Sequence, residues 1–513
     1  MTGVAGRPSL LRRPATWGAV LLAGLLAVLG AAWVTSLVPG TVSVMSMGYP
    51  DLGGGPPVAH EMPDGTSMAG AAHAGHDEPS VAALASIVDV TDLAGPPDGA
   101  PDVRMTLTAE AGTIELGTGE RLEGYTLNGS SPGPTIEAVQ GELVEITLVN
   151  ASVPDGVTLH WHGIDVPNAE DGVAGVTQDA VPPGSSHVYR FVVEDAGTFW
   201  YHSHQVSHEQ VRRGLFGAFV VRPEAQGELD VVLPVHTYDG LRTVAGSSGT
   251  SFHEVPGGTT ARVRVVNTDG ASMQVWVDGA QFRVVAVDGR DLNAPTALDD
   301  VTVPVSGGGR VDLEVPVPES GAVLIGLGGG SLVAVGPDDP GRALAAPPAE
   351  RLDLLTYGSP APLGLDPADA DRRFDYTIGR RPGFLDGRPG LWWSINGHLY
   401  PDVPMYLVQE GDVVVMTITN SSGQVHPMHL HGHHVVVLSR DGVAATGSPW
   451  WVDSLDVHDG ESYEIAFVAD NPGIWMDHCH DLRHAADGMV AHLAYAGVTT
   501  PFLLGGEAAN HPE

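Results

Sequence analysis

The chain has 513 residues, enough for about three domains of ordinary size, and 43% of them are hydrophobic, so sizeable cores can form. Glycine (67) and proline (40) are abundant and aromatic residues are few (6%), a composition typical of strand-rich proteins with many turns. A net charge of −38 argues against nucleic acid as a partner, and a single cysteine excludes an internal disulfide.

The N-terminus contains an uncharged apolar run over residues 17–38, long enough to span a bilayer. Arg7, Arg12 and Arg13 precede it, so the positive-inside rule predicts a cytoplasmic stub and transmembrane anchor within residues 1–40. The alternative is a cleaved signal peptide and a secreted protein, but the run is long and no A-x-A site follows. We therefore predict a single-pass protein of the cell membrane with extracytoplasmic domains.

Residues 41–100 are rich in Gly, Pro, Ala and Asp and show no sustained periodicity, which predicts a flexible linker. Loose copper capture is an alternative, because thioether and imidazole groups suit copper. The residues concerned are Met45, Met47, His60, Met62, Met68, His73 and His76.

An internal repeat organises the rest of the chain. The stretch "YTLNGSSPGPTIEAVQGELVEITLVN" at 125–150 matches "WSINGHLYPDVPMYLVQEGDVVVMTITN" at 393–420, and both end in β-branched runs that predict strands. A weaker copy at 261–282 has Val275 and Val277 near where paired histidines would lie, so we expect no copper there. The repeat predicts an all-β protein of three Greek-key β-sandwich domains, at 101–225, 226–360 and 361–513.

Four H-x-H pairs follow the two stronger copies of the repeat. Side chains at i and i+2 of a strand share one face, so each pair presents two imidazoles to the same side. Four pairs in repeated positions indicate a multi-metal cluster. The pairs are His160/His162, His202/His204, His429/His431 and His478/His480.

The only cysteine, Cys479, lies between His478 and His480 and should therefore face the opposite way. It can bind one copper while its neighbours bind others, although a buried cysteine acting as a small hydrophobe is the alternative. Two histidines, a cysteine and a weak axial methionine form a blue copper site, and His426, His484 and Met489 would complete it.

These motifs resemble those of the multicopper oxidases, in particular the three-domain, laccase-like bacterial members, from about residue 105 to residue 500. The resemblance implies three cupredoxin-like domains and four coppers per chain. A type 1 copper would take single electrons from a small reducing substrate, and a trinuclear cluster between the first and third domains would reduce O₂ to water.

The resemblance also implies a role for each ligand. Type 1 ligands would be His426, Cys479, His484 and Met489, and type 2 ligands His160 and His429. The type 3 sets would be His162, His202 and His480, and His204, His431 and His478. An axial methionine, in place of an apolar residue, should favour a lower potential.

Two carboxylates are further candidates by the same resemblance. Asp171 matches an acid near the type 2 copper and is expected to relay protons, and Asp453 matches a carboxylate near a type 1 histidine, with a turn or sheet-edge residue as its alternative. Many bacterial members have an acid directly after the second type 1 histidine, but this chain has Ala485 there. Asp481 and Asp487 are the candidate replacements.

Other functions fit less well. A copper nitrite reductase shares the domain type but needs three catalytic histidines rather than eight, and a non-catalytic structural member would have lost ligands. No methionine lies between His434 and Met476, so the histidine edge of the type 1 copper should be open, favouring phenol-like donors over the alternative, Cu(I). Because every predicted ligand lies beyond residue 159, residues 1–95 are expected to be dispensable. Six histidines are assigned to structural or surface positions: His208, His398, His433, His434, His458 and His492.

Overall fold

A computed structural model describes residues 14–55, 60–61, 67–68, 87–96, 98–117, 119–224, 229–339 and 341–513. Within these residues strands predominate, which confirms the all-β prediction. The helices are α1 (Pro14–Thr35), α2 (Ser207–Gln210) and α3 (Leu482–Ala486). Short 3₁₀ turns occur at Val44–Ser46, Val90–Asp92, Asn168–Glu170 and Pro367–Asp369.

The first pair of sheets lies within the predicted domain 101–225 and encloses its own apolar core. One sheet contains, in spatial order, His160–His162, Gly197–His202, Phe216–Arg222 and Ile136–Val139. The other contains Ser186–Val192, Leu143–Asn150, Val103–Glu115 and Arg121–Leu127. Alternate residues of Leu143–Asn150 are buried, as expected for a strand with one face on a core.

The second pair of sheets encloses a core of mostly valine and leucine side chains. Its larger sheet contains Ser247–Ser248, Leu241–Val244, Leu229–Tyr238, Thr260–Asn267, Arg310–Pro316, Arg283–Val287 and Arg290–Asp291. Its smaller sheet contains Thr250–Glu254, Leu332–Gly336, Val323–Gly326, Met273–Asp278, Val301–Val305 and Glu350–Arg351. Val275 and Val277, which replace paired histidines in this copy of the repeat, are buried in that core.

The third pair of sheets carries the cysteine and the last two histidine pairs. One sheet contains Tyr49–Asp51, Pro404–Val408, Val490–Tyr495, Ile474–Cys479, His426–Leu430 and Ser454–Val457. The other contains Arg388–Ile395, Arg372–Leu385, Val413–Asn420, Ser462–Val468, Val435–Arg440 and Val443–Ala444, with Trp451–Val452 paired to Val435–Arg440. Two-stranded pairings join Thr41–Val42 to Leu504–Gly505, Val88–Asp89 to Val498–Thr499, and His60–Glu61 to Ser67–Met68.

The repeat extends to individual hydrogen bonds. Asn128 and Asn396 both adopt positive φ (55° and 51°) ahead of a glycine, as hairpin turns of the Asn-Gly type require. The asparagines that end the matching strands, Asn150, Asn267 and Asn420, each use the side-chain amide to donate to carbonyls of the following loop. The middle sandwich is therefore a true third copy.

Helix α1 has 22 residues and includes a 19-residue apolar stretch, Trp17–Thr35, with none of its side chains buried. At 1.5 Å per residue such a helix is about 33 Å long, enough to cross the roughly 30 Å hydrocarbon core of a bilayer. Its length and composition fit either a membrane anchor or a signal sequence.

The prediction that residues 41–100 form a flexible linker is wrong at both ends of that range. Tyr49–Asp51 adds a parallel strand to the third sandwich beside Pro404–Val408, and Val44 and Met45 are buried in its core. Val90 enters the same core from the other end of the segment. Removing residues 1–95 would take a strand and three core side chains, those of Val44, Met45 and Val90, out of the third sandwich. This packing argues against the expectation that residues 1–95 are dispensable.

The same packing bears on the predicted copper capture by this segment. Met45 is buried at 3% exposure and Met47 at 8%, so neither thioether is freely accessible. Met62, His73 and His76 lie outside the described residues, and only the backbone of His60 and Met68 is described. Copper capture by these residues stays a prediction.

Met45→Ala should lower the free energy of unfolding by about 2–5 kcal/mol, because it removes a buried side chain and leaves a cavity in the third sandwich. Urea denaturation followed by tryptophan fluorescence would measure the change. Val443→Ala, at a position 62% exposed, is the control and should shift stability by no more than about 0.5 kcal/mol. Equal effects of the two substitutions would show that the segment does not pack as described.

Candidate metal centre

Two groups of potential metal ligands meet at the end of the strand Ile474–Cys479. We call the first the Cys479 group, formed by His426, Cys479, His484 and Met489. We call the second the eight-histidine cluster, formed by His160, His162, His202, His204, His429, His431, His478 and His480. Side chains of successive strand residues point to opposite faces, so Cys479 and its two neighbours serve different groups.

Strand register brings the histidine pairs together. His160 lies directly opposite His202 in the first sandwich, and His429 lies directly opposite His478 in the third. The same pairing places Met428 opposite Cys479. The two halves of the cluster are thus built by equivalent antiparallel pairings in two copies of the repeat.

The Cys479 group is compact. The Cys479 sulfur lies 3.6 Å from His426 Nδ1 and 3.7 Å from His484 Nδ1, and these two nitrogens are 3.2 Å apart. Met489 is fully buried beside them, and its carbonyl accepts the Cys479 N–H at 3.2 Å. One ion can reach the sulfur and both nitrogens, as a blue copper site requires.

The ionisation of this group favours metal binding. Burial, and then the adjacent His484, lower the pKa of His426 to about 3, so the imidazole is neutral and able to coordinate. Burial raises the pKa of the Cys479 thiol well above its usual range. A thiolate at this position therefore needs a cation bound to it.

The histidine edge of the Cys479 group is less open than expected. The Trp393 ring packs 4.9 Å from His426 and 4.3 Å from His484, measured between ring centroids. The guanidinium of Arg380 lies 4.5 Å above the Trp393 ring, and Trp393 itself is 6% exposed. The side chain of His484 keeps 13% exposure.

The eight-histidine cluster is buried throughout, with every member at 1% exposure or less. His160 Nε2 and His429 Nε2 lie 3.4 Å apart, and His431 Nε2 and His478 Nε2 lie 3.1 Å apart. Donor atoms close enough to share an ion occur in three sets of histidines: His160, His162 and His202; His160, His429 and His431; and His204, His431 and His478. The ring of His480 is 4.9 Å from that of His162, which adds it to the first region.

Several ring nitrogens of the cluster have no hydrogen-bond partner among the described residues. They are His162 Nδ1, His202 Nε2, His204 Nε2 and both nitrogens of His480. By contrast, the outer nitrogens of His202, His204 and His429 each contact a backbone carbonyl at 2.8–3.1 Å. Metal-binding histidines are oriented in this way, with one nitrogen hydrogen bonded and the other free for the metal.

Seven of the eight cluster histidines are also in the ligating charge state. Burial is the main cause and neighbouring imidazoles add to it, so the rings resist protonation. The pKa values of His162, His202, His204, His429, His431 and His480 fall well below the usual range, and that of His478 falls to about 3. A dense, dry set of neutral imidazoles with unpartnered nitrogens fits copper ions.

Asp171 lies beside the eight-histidine cluster. Its carboxylate accepts from His160 Nδ1 at 3.1 Å and from His431 Nδ1 at 3.1 Å, and it is 1% exposed. These bonds leave the Nε2 atoms of both rings directed inward. Asp171 thus orients one imidazole from each half of the cluster.

The expected position of Asp453, beside a type 1 histidine, is wrong. Its Oδ1 lies 3.1 Å from His162 Nε2, and its backbone carbonyl accepts from His429 Nδ1 at 2.8 Å. Asp453 therefore belongs to the eight-histidine cluster, because the strand that follows it, Ser454–Val457, pairs with His426–Leu430 so that Ser454 lies opposite His429 and Val457 lies opposite His426.

The middle sandwich supplies two charged residues that the sequence did not reveal. Arg310 is fully buried and binds Asp453 through both terminal nitrogens, each at 2.6 Å. Asp288 accepts the backbone N–H of Arg310 at 2.8 Å and that of Ser454 at 3.2 Å. Burial, and then the charge of Asp453, raise the pKa of Asp288 to about 7.

Neither candidate for the acid missing at Ala485 reaches the cluster by its described contacts. Asp481 accepts from the N–H of Arg483 at the start of α3 and lies 3.5 Å from His484, and Asp487 pairs with Arg483 at 3.6 Å. A carboxylate that sequence reasoning missed, Glu513, lies 3.2 Å from His478 Nδ1.

Glu513 is held by a hydrogen bond from Ser207 Oγ at 2.6 Å, and burial raises the pKa of its carboxyl to about 8. The residue before it, Pro512, accepts from His204 Nδ1 at 3.1 Å. No sequence motif surrounds this residue, so nothing local could have indicated its position.

The six histidines assigned to structural or surface positions are absent from every metal-sized group among the described residues. His433 Nε2 lies 2.7 Å from the Tyr495 hydroxyl, and His434 Nε2 lies 3.0 Å from the Asp288 carbonyl. His398 pairs with Asp402 at 2.8 Å near the surface.

Comparison with known proteins gives a consistent result. Two family models, both described as multicopper oxidase, match residues 108–226 and 367–497. Multicopper oxidase MmcO of Mycobacterium tuberculosis is 25% identical over 81% of this chain and 91% of its own length. Laccase-1 of Botryotinia fuckeliana is 28% identical over 71% of this chain and 76% of its own length.

Solved structures agree. The multi-copper oxidase from Pseudomonas thermotolerans superposes with a TM-score of 0.63 at 27% identity, covering 77% of this chain and all of that one. Fet3p, a multicopper oxidase that functions in iron import, superposes with a TM-score of 0.65 at 20% identity over 77% of this chain and 90% of its own, a likeness of fold alone. Two matched family segments, full-length relatives and histidine clusters suited to copper lead to one conclusion: the chain belongs to the multicopper oxidases, copper-dependent oxidoreductases that use oxygen.

Proposed function

We propose that this enzyme oxidises a small phenol-like donor one electron at a time at the Cys479 group and reduces O₂ to water at the eight-histidine cluster. One observation carries the proposal: Cys479 belongs to one group, and the residues on either side of it belong to the other. Copper bound in these positions supplies single-electron transfer at the first group and four-electron reduction of O₂ at the second.

We assign the ligands accordingly. His426, Cys479, His484 and Met489 hold the type 1 copper, and His160 and His429 the type 2 copper. The type 3 coppers are held by His162, His202 and His480, and by His204, His431 and His478. The short Nε2 separations between His160 and His429, and between His431 and His478, support this sorting.

The backbone around Cys479 and two carboxylates support the proposed copper positions. The backbone between Cys479 and each neighbouring histidine provides a short covalent path for electrons. Asp171 and Asp453 fix four imidazoles drawn from the first and third sandwiches, so the cluster forms only when those sandwiches dock. Asp171, the buried carboxylate that contacts histidines of both the first and the third sandwich, is also our candidate for relaying protons to the cluster.

Phenol-like donors are favoured over Cu(I) by the surroundings of the Cys479 group. An indole ring, Trp393, covers both of its histidines and is itself buried, so a donor must approach beside it, where the side chain of His484 keeps 13% exposure. The chain has no methionine between His434 and Met476 that would supply thioether ligands to a cuprous ion above this site.

Cys479→Ser should abolish the intense blue absorbance of the copper-loaded enzyme, because charge transfer from thiolate to copper needs the sulfur. Copper analysis should find about three ions per chain instead of four, since the eight-histidine cluster is untouched. Absorption spectroscopy and copper content, measured on one preparation, test the assignment. A variant that stays blue would show that Cys479 is not the type 1 ligand.

Asp171→Asn should slow O₂ consumption at least tenfold, because an amide cannot relay a proton and can accept at only one oxygen from the two imidazoles; general acid catalysis is typically worth about 10²- to 10⁴-fold. Anaerobic bleaching of the blue band by the donor should keep its rate. Stopped-flow absorbance and oxygen uptake would measure the two half-reactions. Asp179→Asn, which changes a different carboxylate of the same domain, is the control.

Equal slowing of bleaching and turnover in Asp171→Asn would place its effect outside the eight-histidine cluster. Unchanged rates for both would leave Asp171 without a role in oxygen reduction. Either result would contradict the proposed role.

A further inference from the structure

The end of helix α1 is bonded to a hairpin of the third sandwich. Trp33 Nε1 donates to the Gly387 carbonyl at 3.1 Å, and the Gly387 N–H donates to Ser36 Oγ at 3.1 Å. The Asp386 N–H donates to the Ser36 carbonyl at 3.0 Å. A helix removed as a signal sequence would take these partners away, so the contacts favour a retained membrane anchor.

The same hairpin reaches the Cys479 group at its other end. Its strands, Arg372–Leu385 and Arg388–Ile395, pair antiparallel from the tip at residues 386–387 to Trp393 and beyond. Trp393 is the residue that packs on both histidines of the group. One hairpin therefore joins the exit of the membrane helix to the proposed site of electron entry.

A cavity of about 340 Å³ lies between the exit of α1 and helix α3. Val38 lines it on the side of the membrane helix, and Ala485 and Gly488 line it on the other. Ala485 directly follows His484, and Gly488 directly precedes Met489. An occupant would therefore lie next to the segment that carries two of the proposed type 1 ligands.

The size and lining of the cavity suit a small, largely apolar ring. Pockets for small organic molecules have volumes of about 300–1,000 Å³ and mostly apolar walls with a few polar groups. Here Val490 and Tyr400 contribute hydrocarbon and aromatic surface, and Asp386 contributes an acceptor. Met476 and His492 also line the cavity, and a cuprous ion is the alternative ligand for such a pair.

The surface around the hairpin tip fits a membrane. Arg388 and Leu391 are exposed, the latter at 53%, and the Arg388 guanidinium lies 5.7 Å from the Trp392 ring. Basic and aromatic side chains beside a membrane helix contact anionic lipid headgroups.

We propose that this cavity binds the head group of a membrane-soluble hydroquinone, which enters from the bilayer beside α1. The hydroquinone then reduces the enzyme through the segment 484–489, which carries two of the proposed type 1 ligands. The inference rests on the proposed function and names its donor. Each hydroquinone loses two electrons and two protons to become a quinone. Two hydroquinones and one O₂ thus give two quinones and two waters.

The test uses the full-length enzyme in lipid nanodiscs that contain phosphatidylglycerol and phosphatidylcholine. Val38→Trp fills the cavity from the side of the helix, and Ala486→Leu fills it from α3. Val34→Trp, four residues before Val38 in the sequence and 59% exposed, is the matched control. The donors compared are decyl-hydroquinone, ferrocyanide as a water-soluble donor, and Cu(I).

We expect each cavity variant to raise the KM for decyl-hydroquinone at least tenfold and to leave kcat and KM for ferrocyanide and Cu(I) within twofold. Binding of labelled decyl-dimethoxybenzene, which cannot be oxidised, to copper-free protein should weaken at least tenfold in the same variants. Val34→Trp should behave as the unaltered enzyme in every assay.

Three outcomes would overturn the inference. Unchanged binding and KM for the hydroquinone would show that the cavity is not its site, and equal losses with all donors would indicate a general disturbance. Losses confined to Cu(I) would assign the cavity to the cuprous ion. Oxygen uptake with ferrocyanide in the unaltered enzyme reports separately on the proposed oxidase function, which stands or falls apart from the hydroquinone site.

Discussion

The alternation of side chains along one strand determines where both metal groups lie. In Ile474–Cys479 and the residue after it, the thiol points to one face and the two imidazoles to the other. The separation of the two groups is therefore set by covalent bonds, whereas most distances in a protein depend on packing. A register slip of one residue would exchange thiol and imidazole between the two faces, so the position of both groups depends on the register that pairs His478 with His429.

The middle sandwich, which lacks the histidine pairs, nevertheless completes the site. Arg310 inserts a fully buried cation between Asp453 and Asp288, and Asp453 in turn contacts His162 and carries the carbonyl bonded to His429. Removing one partner of a buried ion pair typically costs about 3–5 kcal/mol, since the other charge is left uncompensated. All three sandwiches thus contribute to a cluster whose ligands come from only two.

Sequence patterns predicted the parts of the site that are periodic or adjacent in the chain. The H-x-H spacing and the position of Cys479 follow from strand geometry, whereas Asp171 was indicated by the resemblance to the multicopper oxidases. Arg310 and Glu513 are single polar residues far along the chain from the groups they contact, so no local pattern marks them. Composition also misled: residues 41–55 belong to a segment, 41–100, that is rich in glycine and proline, yet the side chains of Val44 and Met45 pack in the core of the third sandwich.

The strand Tyr49–Asp51 carries a consequence for the order of folding. It is synthesised long before Pro404–Val408, the strand beside which it lies. Tyr49–Asp51 therefore has no partner strand until nearly the whole chain has been synthesised. Pairing two strands that lie so far apart in the chain is slow, and an unpaired strand can pair with other chains in the meantime. Tyr49–Asp51 follows closely on α1, so insertion of that helix in a membrane would hold this strand at the bilayer surface. The third sandwich, which is synthesised last, would then have to fold against the strand at that surface.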